Sequence, residues 1–467
     1  MPTSDLVVVS NRGPVSFTHG PAGELVSHRG GGGLVSLMAP ALGDTDALWV
    51  SAAMTDGDRA AAAGARVEAE GFRLWPVSVD PEEYRQFYDV IANATLWFTH
   101  HGLHDLPRRP RFDRRWHEAW EAYVAVNARF ADAVAEVAAD GATVLVQDYH
   151  LTLLGTRLAK ERPDVRSVHF HHTPFADPRE LRVLPDAVAE QVLTGLAGHG
   201  ACGFHSRRWA AAFEACCREV LGQSPPTFVS AAASDAASLR AIASAPAAAD
   251  ARARLDEMAG DRLLLVRVDR IELSKNLLRG FLAFEEALAS SPGLRGRVVF
   301  GAFCYPSREG LIDYLAYRQE VEGLVARINE TWGDADWTPI VLDETDDYPR
   351  SVAALARADA ILVNPVRDGL NLVAQEAVLV NDRLAPLVLS HETGVWDQLG
   401  DGAIGINPFD VSATAEAIVA ALEMPAHERQ VRADKLRAIA GRRRPGTGWP
   451  TWWRRPARPG RRDRGAG

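Results

Sequence analysis

Hydrophobic and polar positions along the chain fall into two series of the same design. In the first, short apolar runs recur as LVVVS (6–10), ALWVS (47–51), TVLVQ (143–147), SVHFH (167–171) and ACGFH (201–205), and their length and β-branched content predict strands. Between them, residues 113–139, 177–196 and 206–221 carry apolar side chains at helical spacing. A second series repeats the alternation: LLLVRV (263–268), RVVFGA (297–302), PIVL (339–342), AILVN (360–364) and APLVLS (385–390), again separated by helical segments. Strand-helix alternation of this kind predicts an α/β protein with parallel sheets covered by helices on both faces.

The alanine-rich, low-complexity stretch GQSPPTFVSAAASDAASLRAIASAPAAADAR divides the two series. The expected organisation is therefore a doubly wound domain over residues 1–222, a linker over 223–252 and a second doubly wound domain over 253–440. Residues 441–467 hold nine arginines against one aspartate among many glycines and prolines, a composition that does not sustain a helix and predicts a disordered basic tail.

Composition narrows the function. A length of 467 residues exceeds one compact core and fits two domains. The net charge of −10 excludes a general nucleic-acid or membrane-surface binder, so any anionic ligand needs a local basic pocket. Four cysteines form no CxxC pair and no disulfide framework. The opening MPTSDLVVVSNR lacks the basic and long apolar regions of a signal peptide, and no segment is long and apolar enough to cross a membrane, so a cytoplasmic location is expected.

Chemistry concentrates at the ends of the strand runs, where open parallel sheets bind ligands. AILVNPVRDGLNLVAQEAV (360–378) leaves a strand through Asp368 and Gly369, a glycine that lets the backbone approach a ligand closely, and enters a helix whose free amides suit a phosphate. Glu376, about a turn and a half inside, suits a ribose diol, and Asp368 a sugar hydroxyl. Diphosphate, ribose and sugar together describe a nucleotide-sugar, although a capped helix after a polar loop has the same pattern. VRVDRIELSKN (266–276) sends Arg270 and Lys275 off another strand end, where both can meet one diphosphate or remain solvated loop charges. Arg12 follows the first strand, Asp148 the third and His172 the fourth. Gly30 to Gly33 form either an anion-binding nest or a plain flexible loop. His169, His171 and His172 lack a further ligand at metal spacing, and none of three Asp-x-Asp triplets follows a strand, so no metal site is assigned.

Taken in order, SNR, the glycine loop, YDVIANATLW, QDYHL, HHTPF, DRIELSK, YPSRE and RDGLNLVAQE resemble the trehalose-6-phosphate synthases over roughly residues 5–425. The resemblance implies the GT-B arrangement, two Rossmann-like domains facing across a cleft. It also implies a metal-independent, cofactor-free, retaining transfer of glucose from a nucleoside diphosphate glucose to glucose 6-phosphate. By the same resemblance, Arg12, Tyr88, Trp97 and Arg308 hold the acceptor phosphate and Asp148 the acceptor hydroxyls. His172 and Asp368 hold the donor glucose, and Gly33 the donor phosphates. Arg270 and Lys275 stabilise the departing diphosphate beside the amides of Asn371, Leu372 and Val373, and Glu376 holds the ribose.

Four features depart from the family pattern: Ala52 at a position that is often tryptophan, Gln375 in place of a common lysine, a short connection around 222–252, and the unusual tail. Ala52 opens the acceptor pocket and favours an alternative acceptor, a phosphorylated cyclitol or amino-cyclitol. A non-catalytic sugar-phosphate sensor on the same fold is a further alternative, opposed by the full set of charged site residues. The donor base is left open, a homo-oligomer is compatible with the sequence, and no phosphatase domain is expected after residue 440.

Overall fold

A computed structural model of the chain describes residues 3–30, 38, 42, 45–62 and 66–442. Gly33, expected at the donor phosphates, and the basic tail from residue 443 lie outside the described residues.

The first half contains β1 (Ser4–Ser10), β2 (Val15–His19), β3 (Leu25–Arg29), β4 (Leu48–Ala52), β5 (Val67–Ala69), β6 (Phe72–Val77), β7 (Ala138–Gln147), β8 (Arg166–His171), β9 (Ala201–Phe204) and β10 (Thr227–Val229). Among the described residues, eight of these form one sheet in the order β10-β9-β8-β7-β1-β4-β6-β5, while β2 and β3 pair as a separate hairpin. All pairings in the large sheet are parallel except β5 with β6. The second half contains β11 (Leu263–Ile271), β12 (Val298–Pro306), β13 (Ile340–Asp343), β14 (Ala360–Val363), β15 (Leu387–Ser390) and β16 (Ile404–Ile406). These form an all-parallel sheet in the order β13-β12-β11-β14-β15-β16.

The apolar runs explain the layering. Val7, Val8 and Val9 of β1 and Leu264, Leu265 and Val266 of β11 are fully buried, because helices cover both faces of each sheet. Each sheet also has a switch point, where strand order turns from one direction to the other. In the first it falls between β1 and β7, in the second between β11 and β14. The ends of these four strands and the loops that follow them carry Arg12, Asp148, Arg270 with Lys275, and Asp368. Topology alone thus sends the predicted charges to two crevices.

Three local differences from the sequence reading have physical causes. The helix expected over 177–196 is two helices, Pro178–Leu181 and Asp186–Ala197, since Pro185 cannot continue the first. Residues 223–252, expected as a linker, contain β10, the helix Ala236–Ala243 and the start of the helix Pro246–Ala259. Asp235 caps the first of these helices and Pro246 opens the second. The stretch before Trp97, whose helical nature the apolar pattern did not reveal, winds as a π-helix over Gln86–Trp97. Its wider turns carry side chains onto backbone five residues back, as Thr95 Oγ1 donates to Val90 O at 2.8 Å.

The two halves meet along a seam. Trp209 Nε1 donates to Gly369 O at 3.0 Å, Arg367 pairs with Glu180, and Arg208 pairs with Glu392. At the closest point the loops after β8 and β14 touch backbone to backbone: a Cβ on Gly369 would lie 1.9 Å from His172 O. The sequence reading placed Gly369 for approach to a ligand. Its nearest neighbour is instead the opposite half of the protein.

Replacing Gly369 with alanine must therefore part the seam. Faster hydrogen exchange around residues 170–175 and 366–372 is expected in Gly369→Ala. In contrast, Gly323 lies within the helix Ile312–Trp332 with open space where a Cβ would go. Gly323→Ala is expected to raise unfolding stability by about 0.5–1 kcal/mol in denaturant titration, with unchanged exchange at the seam.

Candidate active site

The crevice of the second half is built on β11 and β14. β11 ends in Arg270–Ile271, and the chain turns through the short 3-10 helix Leu273–Lys275. Lys275 Nζ lies 2.6 Å from Asp368 Oδ2 and 3.8 Å from Asp269 Oδ1. Burial pushes the Asp368 carboxyl up, but the Lys275 ammonium and the Asn371 amide outweigh it and leave the group below its ordinary value. Asn371 Nδ2 donates to Asp368 Oδ2 at 3.2 Å, while Asn371 Oδ1 caps the helix Leu372–Val380 by accepting from the Ala374 amide at 3.0 Å. Leu372 and Val373 begin that helix beside the cleft loop. Glu376 sits further in, where burial raises its carboxyl to about 7, and Tyr348 OH donates to its Oε1 at 3.4 Å.

The opposite wall comes from β1, β7, β8 and the Gln86–Trp97 segment. Asp148 has φ 67° and ψ 173°, backbone territory nearly reserved for glycine. Its side chain is fixed by the His172 amide at 3.1 Å and the Thr173 amide at 3.4 Å. Burial lifts its carboxyl to about 6, so it is largely ionised at neutral pH. The His172 ring stands between His205 Nε2, 3.1 Å from its Nδ1, and Gln147 Oε1, 3.0 Å from its Nε2. An amide oxygen only accepts, so this network puts the proton on Nε2 and makes Nδ1 an acceptor from His205. Burial holds the ring neutral.

Arg308, with φ 49°, joins the two walls. Its guanidinium lies 5.0 Å from the Trp97 ring centre, and Nη2 donates to Tyr149 OH at 3.4 Å. Nη1 donates to Glu272 Oε1 at 3.1 Å and also reaches Tyr314 OH. Arg270 Nη1 is 2.9 Å from the same Glu272 oxygen, so one buried carboxylate links the two arginines. Burial alone would raise Glu272, but Arg270, Arg308 and Lys275 bring it down to about 2. Tyr88 stacks on Tyr84 and His150 at 5.6 and 5.7 Å. Arg12 is exposed in the loop after β1, close enough to influence Tyr84 and His150 electrostatically.

The structure thus brings Trp97, Arg308, Arg270, Lys275, Asp368, Gly369 and Asn371 into one connected site, with Asp148 and His172 on its N-terminal wall. Glu376 stands apart on the helix Leu372–Val380, in contact with Tyr348. Among the described residues, no group of three His, Cys, Asp or Glu side chains is disposed to hold a metal. His169 and His171 are instead buried, with burial driving both well below their ordinary pKa.

Sequence reasoning missed Glu272, His101, Tyr149 and Tyr314. Two of these carried a signal. Glu272 follows Arg270 by two residues, the spacing that places side chains on one face of an extended chain. His101 follows Trp97 by four, and their rings stack at 4.0 Å. Its Nδ1 lies 2.7 Å from Trp97 O and donates to it, which leaves Nε2 as an acceptor, and burial lowers its pKa to about 3.

The chain matches the profile of glycosyltransferase family 20 over residues 4–443. It is 32% identical over 465 residues to a trehalose-6-phosphate synthase of Mycobacterium sp. (strain JLS), covering 94% of this chain and 93% of that one. A bifunctional trehalose-6-phosphate synthase/phosphatase of Thermoproteus tenax is 32% identical over 453 residues, 92% of this chain; the match spans only 60% of that longer protein. Among solved structures, the Burkholderia xenovorans UDP-forming alpha,alpha-trehalose-phosphate synthase in complex with glucose-6-phosphate is similar with a TM-score of 0.81 and 26% identity, covering 94% of this chain and 97% of that one. The E. coli trehalose-6-phosphate protein bound with UDP-2-fluoro glucose is similar with a TM-score of 0.82 and 26% identity, covering 94% and 96%. The parallel sheets, the facing crevices and the match across nearly the whole chain agree: the chain belongs to glycosyltransferase family 20, with these trehalose-6-phosphate synthases.

Proposed function

We propose that the protein transfers glucose, with retention, from a nucleoside diphosphate glucose to glucose 6-phosphate, giving α,α-trehalose 6-phosphate. The observation that carries this reading is the run of cations across the seam. Arg270 and Lys275 stand on the donor wall and Arg308 between the walls, each held by a carboxylate of the protein. A diphosphate on the donor and a single phosphate on the acceptor match that arrangement.

In this reading the donor diphosphate lies against the amides of Asn371, Leu372 and Val373, with Lys275 and Arg270 beside it. Asp368 accepts from hydroxyls of the donor glucose, and Glu376 accepts from the ribose. The acceptor phosphate is clamped by Arg308 and Arg12, with Tyr88 and Trp97 shaping the pocket. Asp148 takes acceptor hydroxyls, and His101 Nε2 is a further acceptor at the seam. His172, whose ring is engaged by Gln147 and His205, stands beside the donor glucose.

The reaction breaks the bond between C1 of the donor glucose and the diphosphate oxygen. It forms a bond from C1 to the anomeric oxygen of the acceptor on the same face. The acceptor proton passes to an oxygen of the departing diphosphate. Positioning and fixed charge then supply most of the acceleration, since no protein nucleophile is required. The absence from the described residues of a long apolar helix, together with four buried free cysteines, supports a cytoplasmic location.

The direct test mixes purified protein with nucleoside diphosphate glucoses and either glucose 6-phosphate or a phosphorylated cyclitol, then identifies products by NMR. Trehalose 6-phosphate from glucose 6-phosphate supports the reading. A product formed only from the cyclitol, which Ala52 would permit, overturns the acceptor assignment, and no product with any pair overturns the function. Variants should separate the two phosphate sites. Lys275→Ala and Arg270→Ala are expected to lose about 3–4 kcal/mol of transition-state stabilisation, on the order of a hundredfold to a thousandfold in kcat, with little change in acceptor KM. Arg308→Ala should chiefly raise acceptor KM, by about tenfold to a hundredfold.

Glu376 adds a pH signature. With its pKa raised to about 7, it is protonated below neutrality and becomes a full carboxylate acceptor above it. Donor affinity is therefore expected to rise between about pH 6 and 8 in calorimetry. Glu376→Gln should flatten this rise; an equal rise in that variant would assign the pH effect elsewhere.

A further inference from the structure

Arg267, on β11, is fully buried at 0% exposure, and it reaches the proposed substrate positions through the backbone of Lys275. Its Nη2 donates to Asp269 Oδ2 at 2.8 Å and to the backbone oxygen of Lys275 at 3.0 Å. One nitrogen therefore ties the end of the strand to the turn that carries the cleft lysine. Asp269, on the same face of β11 two residues on, has its other oxygen 3.8 Å from Lys275 Nζ. The ammonium stands between Asp269 behind it and Asp368 in front of it.

This placement is unfavourable in itself. Arg267 Nε and Nη1 have no hydrogen-bond partner among the described residues, and a buried charge with unsatisfied donors destabilises a fold. The neighbouring helix Leu277–Ser290 also gives way to it. A Cβ at Gly280 would lie 2.6 Å from Arg267 Nη1 and 3.2 Å from Asn364 Oδ1, so only glycine leaves room for the guanidinium. Glycine inside a helix is itself less stable than alanine. Two features that weaken the fold thus converge on one outcome, an arginine held against the backbone of Lys275.

We propose that Arg267 is a positioning residue for the transfer reaction, fixing the Lys275 backbone and the Asp269 carboxylate so that the lysine ammonium is aimed at the departing diphosphate. This rests on the transfer proposed above. Without Arg267, the Asp269 carboxylate and the Lys275 turn lose their shared anchor, and the ammonium loses its fixed aim into the cleft. The other titratable groups around Asp269 are Cys304 of β12, its cross-strand partner, and Asp368 from the loop after β14.

The test compares wild type, Arg267→Met, Arg267→Lys and Gly280→Ala as folded, purified full-length chains. It measures kcat, both KM values and the pH dependence of kcat. Arg267→Met is expected to lose on the order of tenfold to a hundredfold in kcat with acceptor KM nearly unchanged. Its acidic limb should move to higher pH, because Asp269 without its neighbouring cation takes up a proton more readily. Gly280→Ala, which pushes on Nη1 without altering any charge, should reduce kcat in the same way to a smaller extent. Arg267→Lys should restore the acidic limb but not the full rate, since an ammonium does not reproduce the geometry of the guanidinium bridge. A purely structural role would lower the melting temperature and leave kcat per folded molecule and its pH profile at wild-type values; that result in Arg267→Met overturns the proposal. If Arg267→Met does not fold, Gly280→Ala decides on the same terms. Wild type without product would fail the reaction itself, whereas active wild type matched by its variants would fail only the role of Arg267.

Discussion

The ion pair between Lys275 and Asp368, 2.6 Å long with side chains only 14% and 17% exposed, is the contact on which the rest of the cleft depends. Two charges withdrawn from water recover their hydration cost only when geometry and further hydrogen bonds are good. Here Asp368 also receives the Asn371 amide and Lys275 has Asp269 behind it. Asn371 in turn caps the donor helix. Loop, cap and lysine are therefore set by one electrostatic arrangement, which in the proposed transfer keeps positive charge ready for the departing diphosphate. Glu272 does the same for Arg270 and Arg308, and so couples the donor wall to the acceptor wall.

Close backbone contact is the complementary constraint. Gly369 places the donor loop against His172, and Trp209 secures the carbonyl of Gly369 from the N-terminal half. Strain gathers at the same place. Of the six non-glycine residues with positive φ among those described, Asp148, Arg308 and Asn371 belong to the site and Asn276 follows Lys275 directly. Unfavourable backbone persists where surrounding structure determines it, and here it fixes the direction of charged side chains.

Much of this was legible in the sequence. Continuous apolar runs such as LVVVS and AILVN have little choice but to be buried strands, and the charges just beyond them fall at the switch points of the two sheets. The donor loop was readable because Asp368, Gly369 and Glu376 lie within nine residues of one another, on one strand-loop-helix unit. Arg12, Tyr88, Trp97 and Arg308 come from separate elements, so family resemblance and no local pattern singled them out. Residues 223–252 were misread for a chemical reason. Alanine-rich sequence looks featureless, but alanine is the strongest helix former, and Asp235 and Pro246 were start signals in plain view. Glu272 shows in the sequence only its spacing from Arg270; burial is what makes such a carboxylate matter, and burial is not written in local sequence.

The central claim is that the cations held by Asp368 and Glu272 act on the leaving diphosphate. The most direct measurement is the single-turnover rate of wild type and Lys275→Ala with a series of glucosyl donors whose leaving groups are progressively more acidic. If Lys275 stabilises charge on the departing group, the deficit of Lys275→Ala should shrink steadily as the leaving group needs less help. A deficit that stays constant across the series would contradict the account.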